Sequence, residues 1–322
     1  YYSLSSELIR ELENRFTDDE PDVVHVEHLR GALYVKWALA YFEQRQPVIW
    51  DAVDCISLLF EKSIQMNTTD RLPNIVRQLE LPKTRNLESE LPLEVAATLV
   101  TSQQDKNAII NLAKNSHSHN IYVLPNGVKQ TDFQHKQNLS AKPAVIFSGK
   151  MSYHANEASA IWLIHEVMPR IWKIRQDVIL MIVGAGPGKK LIKLAGKYPG
   201  KIQLTGYVAD LFPYFQQSSV AVAPLLYGTG IQNKVLEAMA YGVPVVATST
   251  AIQALNKSVA DCLLVSDDPQ VFSEHVITII ENEALWKRLS ENGRRFVEDK
   301  HSWEQVSQEY ERIILRIKDM AN

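Results

Sequence analysis

LLYGTGIQNKVLEAMAYGVPVVAT, Leu225 to Thr248, opens on a glycine pair, Gly228 and Gly230, and runs into about three helical turns. The pattern stops at Gly242 and Pro244 and passes directly into an apolar strand, Val243 to Ala247. A loop, a helix and a strand in this succession form the repeating piece of an α/β fold.

At about 100° per residue, Ile231, Val235, Ala238 and Met239 share one side of that helix, with Leu236 and Ala240 at its edge. Gly230, Asn233, Lys234, Glu237 and Tyr241 fall on the opposite side. A polar stripe is commonly just a solvated face. The glycines add a second reading: Gly228 and Gly230 leave the first-turn N–H groups uncovered, and a helix N-terminus carries partial positive charge suited to a phosphate. Lys234 adds a full positive charge to the same stripe. Glu237 stands seven residues beyond Gly230, roughly 10 Å along a helix, which matches the span from a diphosphate to its ribose. The stripe therefore reads as a ruler for a nucleoside diphosphate, with the diphosphate at Gly228 to Lys234 and the ribose hydroxyls at Glu237.

Strands and helices alternate on both sides of this stretch, which implies parallel sheets. Downstream of it, Cys262 to Val265 is followed by helix from Pro269 to the end, with breaks expected at Asn282, Gly293 and His301. Upstream, AVIFSGK, Ala144 to Lys150, is a buried strand ending in Gly149 and Lys150, and a long helix is expected over Glu157 to Arg175. VILMIVGAGPG, Val178 to Gly188, is a strand and a glycine-rich turn. Lys189 stands where a dinucleotide fingerprint needs its third glycine, so that motif is incomplete. IQLTGYV, Ile202 to Val208, and Val220 to Ala223 are further strands.

Before Ala144, LPNGV, Leu124 to Val128, reads as a turn, and residues 129–142 form an aperiodic polar linker. The N-terminal part, 1–128, shows a helix over 3–15 and strands at Asp22 to Val26, Pro47 to Trp50, Ala97 to Val100 and Ile121 to Leu124. Helices are expected at Gly31 to Tyr41, over Leu58 to Leu91 with breaks at Pro73 and Pro82, and after Ser102 as N-cap. DVVHVEH, Asp22 to His28, sits at a strand end, where open α/β sheets place ligands, which makes Glu27 and His28 candidates. Asp51 and Asp54 end the next strand and serve equally well as caps of the following helix.

The chain of 322 residues is 46 % apolar, enough for two domains, and its net charge of −3 with interspersed signs gives no nucleic-acid footprint. Cys55 and Cys262 are too far apart in sequence to suggest a disulfide framework or metal-ligand spacing and read as buried thiols of a reducing compartment. There is no D-x-D, no H-E-x-x-H and no apolar run of transmembrane length.

GIQNKVLEAMAYGVPVVAT resembles the donor-binding signature of the family 4 retaining glycosyltransferases, nearest to sugar transferases of bacterial exopolysaccharide production. That signature has two glutamates eight positions apart; Glu237 matches the second, and Thr229 stands in place of the first. The resemblance implies a GT-B fold: two Rossmann-like domains with parallel sheets facing across a cleft, 143–302 binding the donor and 303–322 a helix packing back on 1–128. A GT-B N-terminal domain begins with a strand and a glycine-rich loop, so about 60–100 residues are expected to be missing here.

By the same resemblance, Gly149 and Lys150 meet the donor diphosphate, and Tyr207 and Val208 lie beside the nucleobase. Gly228, Thr229, Gly230, Ile231, Lys234 and Glu237 complete the donor contacts, and the strand-end histidine facing the sugar corresponds to the Glu27–His28 region. A second basic residue, some six positions after the first, is replaced by Asn156, so neutralisation rests on Lys150 and Lys234. The implied donor is a UDP- or GDP-sugar and the acceptor a glycan or lipid-linked hydroxyl, with no cofactor, no metal and no nucleic acid. A cytoplasmic setting is expected; peripheral membrane contact through the N-terminal domain, at the inner face, stays open, as does the oligomeric state. Two other classes compete: a nucleotide-sugar epimerase or hydrolase on the same scaffold, and an inactive nucleotide-binding module.

Overall fold

The computed structural model describes residues 4–43, 45–65, 71–114, 118–128, 142–228 and 230–321. The chain divides into two compact units, Tyr1–Pro125 with Val306–Asn322, and Asn126–Gln305. All but the last residue of the expected linker, 129–142, and Thr229 of the signature lie outside the described residues.

The first unit contains α1 (Ser6–Asp18), β1 (Val24–Glu27), α2 (Ala32–Phe42), β2 (Val48–Val53), α3 (Ile56–Gln65), α4 (Arg71–Glu94), β3 (Ala97–Val100), α5 (Gln103–Leu112) and β4 (Ile121–Val123). Its strands are parallel and stand in chain order, β1-β2-β3-β4. Neighbouring strand residues point to opposite faces. Trp50 accordingly packs with Val35, Leu91 and Ile109, while Ile49 joins Ala97, Leu99 and, from the last helix of the chain, Ile313 and Ile317. That helix also salt-bridges Lys318 to Asp22 at 3.0 Å, and the Tyr310 hydroxyl meets His25 Nδ1 at 2.5 Å.

Two expectations fail in this unit. α4 runs on through Pro73 and Pro82, where breaks were expected. A proline inside a helix costs about 3 kcal/mol or more, and the packing of α4 on α3 and α5, with Leu87 and Leu91 in the core, offsets it. Asp51 and Asp54 are not the caps of α3 either. Asp105 accepts from the Cys55 N–H at 2.9 Å, and Glu88 accepts from those of Ile56 and Ser57. Carboxylates from distant helices thus meet the positive end of α3.

The second unit contains β5 (Ala144–Ser148), α6 (His154–Trp162), α7 (Met168–Ile174), β6 (Ile179–Val183), α8 (Lys189–Ala195), β7 (Ile202–Leu204), α9 (Phe212–Gln217) and β8 (Val220–Ala223). It continues with α10 (Asn233–Ala240), β9 (Val245–Ala247), α11 (Ser249–Ile252), β10 (Leu263–Val265), α12 (Pro269–Glu281) and α13 (Glu283–Lys300); α14 (Trp303–Ala321) closes the chain. The sheet runs β10-β9-β8-β5-β6-β7 with every pairing parallel. Such strands are covered on both faces and read as unbroken apolar runs. Val145 and Phe147 enter one core with α12, and Ala144 and Ile146 enter the other with α10.

α6 and α7 form one rod joined by a π-helical turn, Leu163–Val167. Pro169, without an N–H, follows at the start of α7, and the wider turn accommodates the missing hydrogen bond. Gly293 does not break α13. A Cβ there would lie 3.0 Å from Met239 Cγ, so the glycine lets α13 approach α10 closely. LPNGV is extended rather than turned: the Val128 N–H donates to the His301 carbonyl at 2.7 Å, and Val128 bridges Ser302 in parallel.

Burial pushes the Asp54 carboxyl up to about 6, with Asp105 nearby adding to it. A raised folded-state value means that the native protein binds the extra proton between about pH 4 and pH 6, so this carboxyl costs stability as pH rises through that window. Asp54→Asn, which retains an acceptor for Thr101, is expected to raise stability by ~1–2 kcal/mol at pH 7.5 and to leave it unchanged below pH 4. Urea denaturation at the two pH values reads this directly.

Candidate functional site

In the second sheet β5 has β6 on one side and β8 on the other, so the direction in which the chain is wound reverses between β5 and β8. Loops leaving the carboxyl ends of the strands part at such a point and open a crevice. A cavity of about 420 Å³ lies there, lined by Ser148, Gly149 and Lys150 after β5, and by Val183, Gly184 and Ala185 after β6. Tyr207, Val208 and Leu211 line it after β7, and Ile231, Asn233, Lys234 and Glu237 line it from the segment after β8.

The turns after β5 and β6 are joined by their backbones. Gly149 N–H donates to the Val183 carbonyl at 2.9 Å and Met151 N–H to that of Ala185 at 2.7 Å. Gly184, at φ 143°, approaches so closely that a Cβ would stand 1.9 Å from the Gly149 carbonyl oxygen. The glycine-rich turn after β6 thus serves this close approach.

α10 begins at Asn233, three residues later than the glycine pair suggests, with Gln232 as its N-cap. Gly228 and Gly230 do not line the cavity; the Gly228 carbonyl instead accepts from Gln253 Nε2 at 2.9 Å. The part of the ruler that lines the cavity is therefore Asn233 and Lys234, with Glu237 one turn further. Gly242, which ends the helix, and the 301–302 segment were legible from the residues; the late start of α10 was not.

Lys234 is half-buried, and its Nζ donates to Asn156 Oδ1 at 3.0 Å and to Gln232 Oε1 at 3.3 Å. Burial pushes its ammonium down to about 8, against the pull of Glu237. Glu237 is itself pushed up by burial, with Lys234 opposing. Lys150 is exposed at the mouth of the β5 turn. The arrangement can hold an anionic ligand between two ammonium groups with a carboxylate acceptor beyond.

Of the candidates read from sequence, Gly149, Lys150, Tyr207, Val208, Ile231, Lys234 and Glu237 come together around this cavity. Val183, Gly184 and Ala185 were missed because only strand order brings the exit of β6 here, whereas Ser148, Leu211 and Asn233 stand beside candidates in the same segments. Glu27 and His28 belong to the first unit. Glu27 is exposed at the end of β1, and His28, at φ 65°, turns its Nδ1 onto the Arg30 N–H at 3.2 Å to cap its own turn. Among the described residues, no three His, Cys, Asp or Glu side chains are grouped to hold a metal, and no helix is long and apolar enough to cross a membrane.

Residues 142–282 match the family described as Glycosyl transferases group 1. This segment is a group 1 glycosyltransferase domain. An uncharacterized 44.6 kDa protein of the cps region of Klebsiella pneumoniae is 26 % identical over 168 residues, 50 % of this chain and 43 % of that one. A phosphatidyl-myo-inositol mannosyltransferase of Mycobacterium leprae is 25 % identical over 200 residues, 59 % of this chain and 52 % of that one. The chain thus spans about half the length of the relatives it matches. Among solved structures, Anabaena HepE in complex with UDP superposes with a TM-score of 0.70 at 15 % identity, covering 96 % of this chain and 82 % of that one. Two α/β units with parallel sheets and this likeness give the chain the GT-B fold class.

The close approach at Gly184 yields a sharp expectation. Gly184→Ala places a methyl group inside the Gly149 carbonyl and should cost ~3 kcal/mol or more in urea denaturation. A change below ~0.5 kcal/mol would show that the two turns separate freely.

Proposed function

We propose that the protein transfers a sugar from a nucleoside-diphosphate sugar, with uridine or guanosine as the base, to a hydroxyl of a glycan or lipid-linked acceptor, with retention of anomeric configuration. The observation that carries this reading is the meeting of Lys150, Lys234 and Glu237 around one cavity at the switch point of the second sheet. The mannosyltransferase relative supports a lipid-linked acceptor, and the UDP complex of HepE supports the donor class.

In the proposed reaction the bond between the anomeric carbon and the diphosphate oxygen breaks. The acceptor oxygen bonds to that carbon from the same face, and its proton passes to the departing diphosphate, so no protein base is assigned. Lys150 and Lys234 neutralise the charge that gathers on the diphosphate, as preorganised donors in a partly desolvated site. Glu237 accepts the ribose hydroxyls. With two ammonium groups supplying the positive charge, the reaction is proposed to need no metal. The proposal puts the protein in the cytoplasm of a bacterium, in exopolysaccharide synthesis, with peripheral membrane contact at the inner face as a further expectation.

Thermal unfolding with UDP, GDP, ADP and NAD, each in EDTA, tests the donor assignment. One nucleoside diphosphate is expected to stabilise the protein by about 2.7 kcal/mol at a hundredfold excess over its dissociation constant. No shift with any of them would refute a donor site. In the same reading Lys234→Ala lowers turnover of the sugar nucleotide by about a hundredfold, and an unchanged rate would remove Lys234 from the mechanism.

A further inference from the structure

We propose that Asn156 is the positioning residue of the donor cavity, holding the Lys234 ammonium against the turn that follows β5. The inference rests on the donor-site reading above and assigns a role to a residue that does not itself line the cavity.

Asn156 lies in the first turn of α6 and is 7 % exposed. Its Nδ2 donates to the Lys150 carbonyl at 3.0 Å, and its Oδ1 accepts from Lys234 Nζ at 3.0 Å. The orientation of the amide follows from these partners. A flipped amide would set NH2 against an ammonium and oxygen against a carbonyl, two repulsive contacts in place of two bonds. One small neutral side chain thus ties the segment that presents Lys150 to the ammonium on α10. Gly149 leaves the room for it, since a Cβ there would stand 2.9 Å from Asn156 Nδ2.

The residue type suits the task. A lysine on its four-carbon stem loses rotamer freedom when it is fixed, and a partner that fixes it before the ligand arrives removes that cost from binding. Aspartate in place of Asn156 would pair with Lys234 and consume the charge meant for the diphosphate. A cation there would repel it. The amide orients the ammonium and leaves its charge intact. Other groups facing the ammonium are Glu237 from α10, Gln232 at 3.3 Å and the Phe147 ring at 5.8 Å, with Lys150 across the cavity.

The test is a double-mutant cycle on the whole chain. Dissociation constants for UDP and GDP are measured by calorimetry at pH 7.5 for wild type, Asn156→Ala, Lys234→Ala and the double variant. If Asn156 acts through Lys234, its removal weakens binding about tenfold when Lys234 is present and less than twofold when it is absent. Equal losses in both backgrounds, or none in either, would overturn the proposal. A second readout needs no ligand: the pH dependence of acylation of Lys234, followed by peptide mass spectrometry. Loss of the amide acceptor should move the titration of Lys234 lower in Asn156→Ala, and Asn156→Asp should move it higher. Unchanged titration in both variants also overturns the proposal. If the wild type binds neither nucleotide, the donor reading falls, and the Lys234 titration still decides whether Asn156 holds the ammonium.

Discussion

The contact on which the second unit depends is between two backbones: Gly184 against the carbonyl of Gly149, where a Cβ would come within 1.9 Å of the oxygen. It joins the exits of β5 and β6, and the Gly149 and Met151 N–H groups reinforce it. On the other side of β5, where the chain is wound in the opposite sense, side chains join the exit of β8 to the start of α6, with His154 Nδ1 meeting the Tyr227 hydroxyl at 2.7 Å. The β6 side of β5 is thus held backbone to backbone and the β8 side through side chains. The cavity, Lys150 and the start of α10 follow from that asymmetry.

The two units treat buried charge differently. In the first, Glu88 and Asp105 are buried and meet the N–H groups at the start of α3, so each carboxylate is matched by donors that cannot leave. That site is saturated and suits a structural role. In the second, Lys234 is held by a neutral amide and the Gln232 oxygen, and burial drives its ammonium down to about 8. Its charge is oriented without being neutralised. In the proposed reading, a cation kept in that condition meets an anion from outside the protein.

Much of this was legible in the residues, for identifiable reasons. Parallel strands covered on both faces need continuous apolar runs, so AVIFS, ILMIV and VAVA were visible as strands without any partner in view. Lys234 and Glu237 could be singled out because their chemistry is local, whereas the glycine pair singled out with them stands outside the cavity lining. Local punctuation misled in four places. Pro82 and Gly293 lie inside helices, Asn126–Gly127 lies in an extended segment, and α10 starts at Asn233 instead of beside Gly230. In the first three the preference of one residue was outweighed by a partner remote in sequence: α3 and α5 beside α4, Met239 beneath Gly293, and His301 alongside Val128.

By itself the sequence determined the α/β class, the positions of the strands and several of the residues that line the cavity. Periodicity, apolar runs and glycines act over a few residues and are set before the chain folds. The tertiary structure alone decided that Gly184 would lie on Gly149, that Glu88 and Asp105 would cap a helix from other elements, and that Asn156 would stand between Lys150 and Lys234. Those pairings join residues as much as 78 positions apart. Distances of that kind come from strand order, which no local pattern encodes.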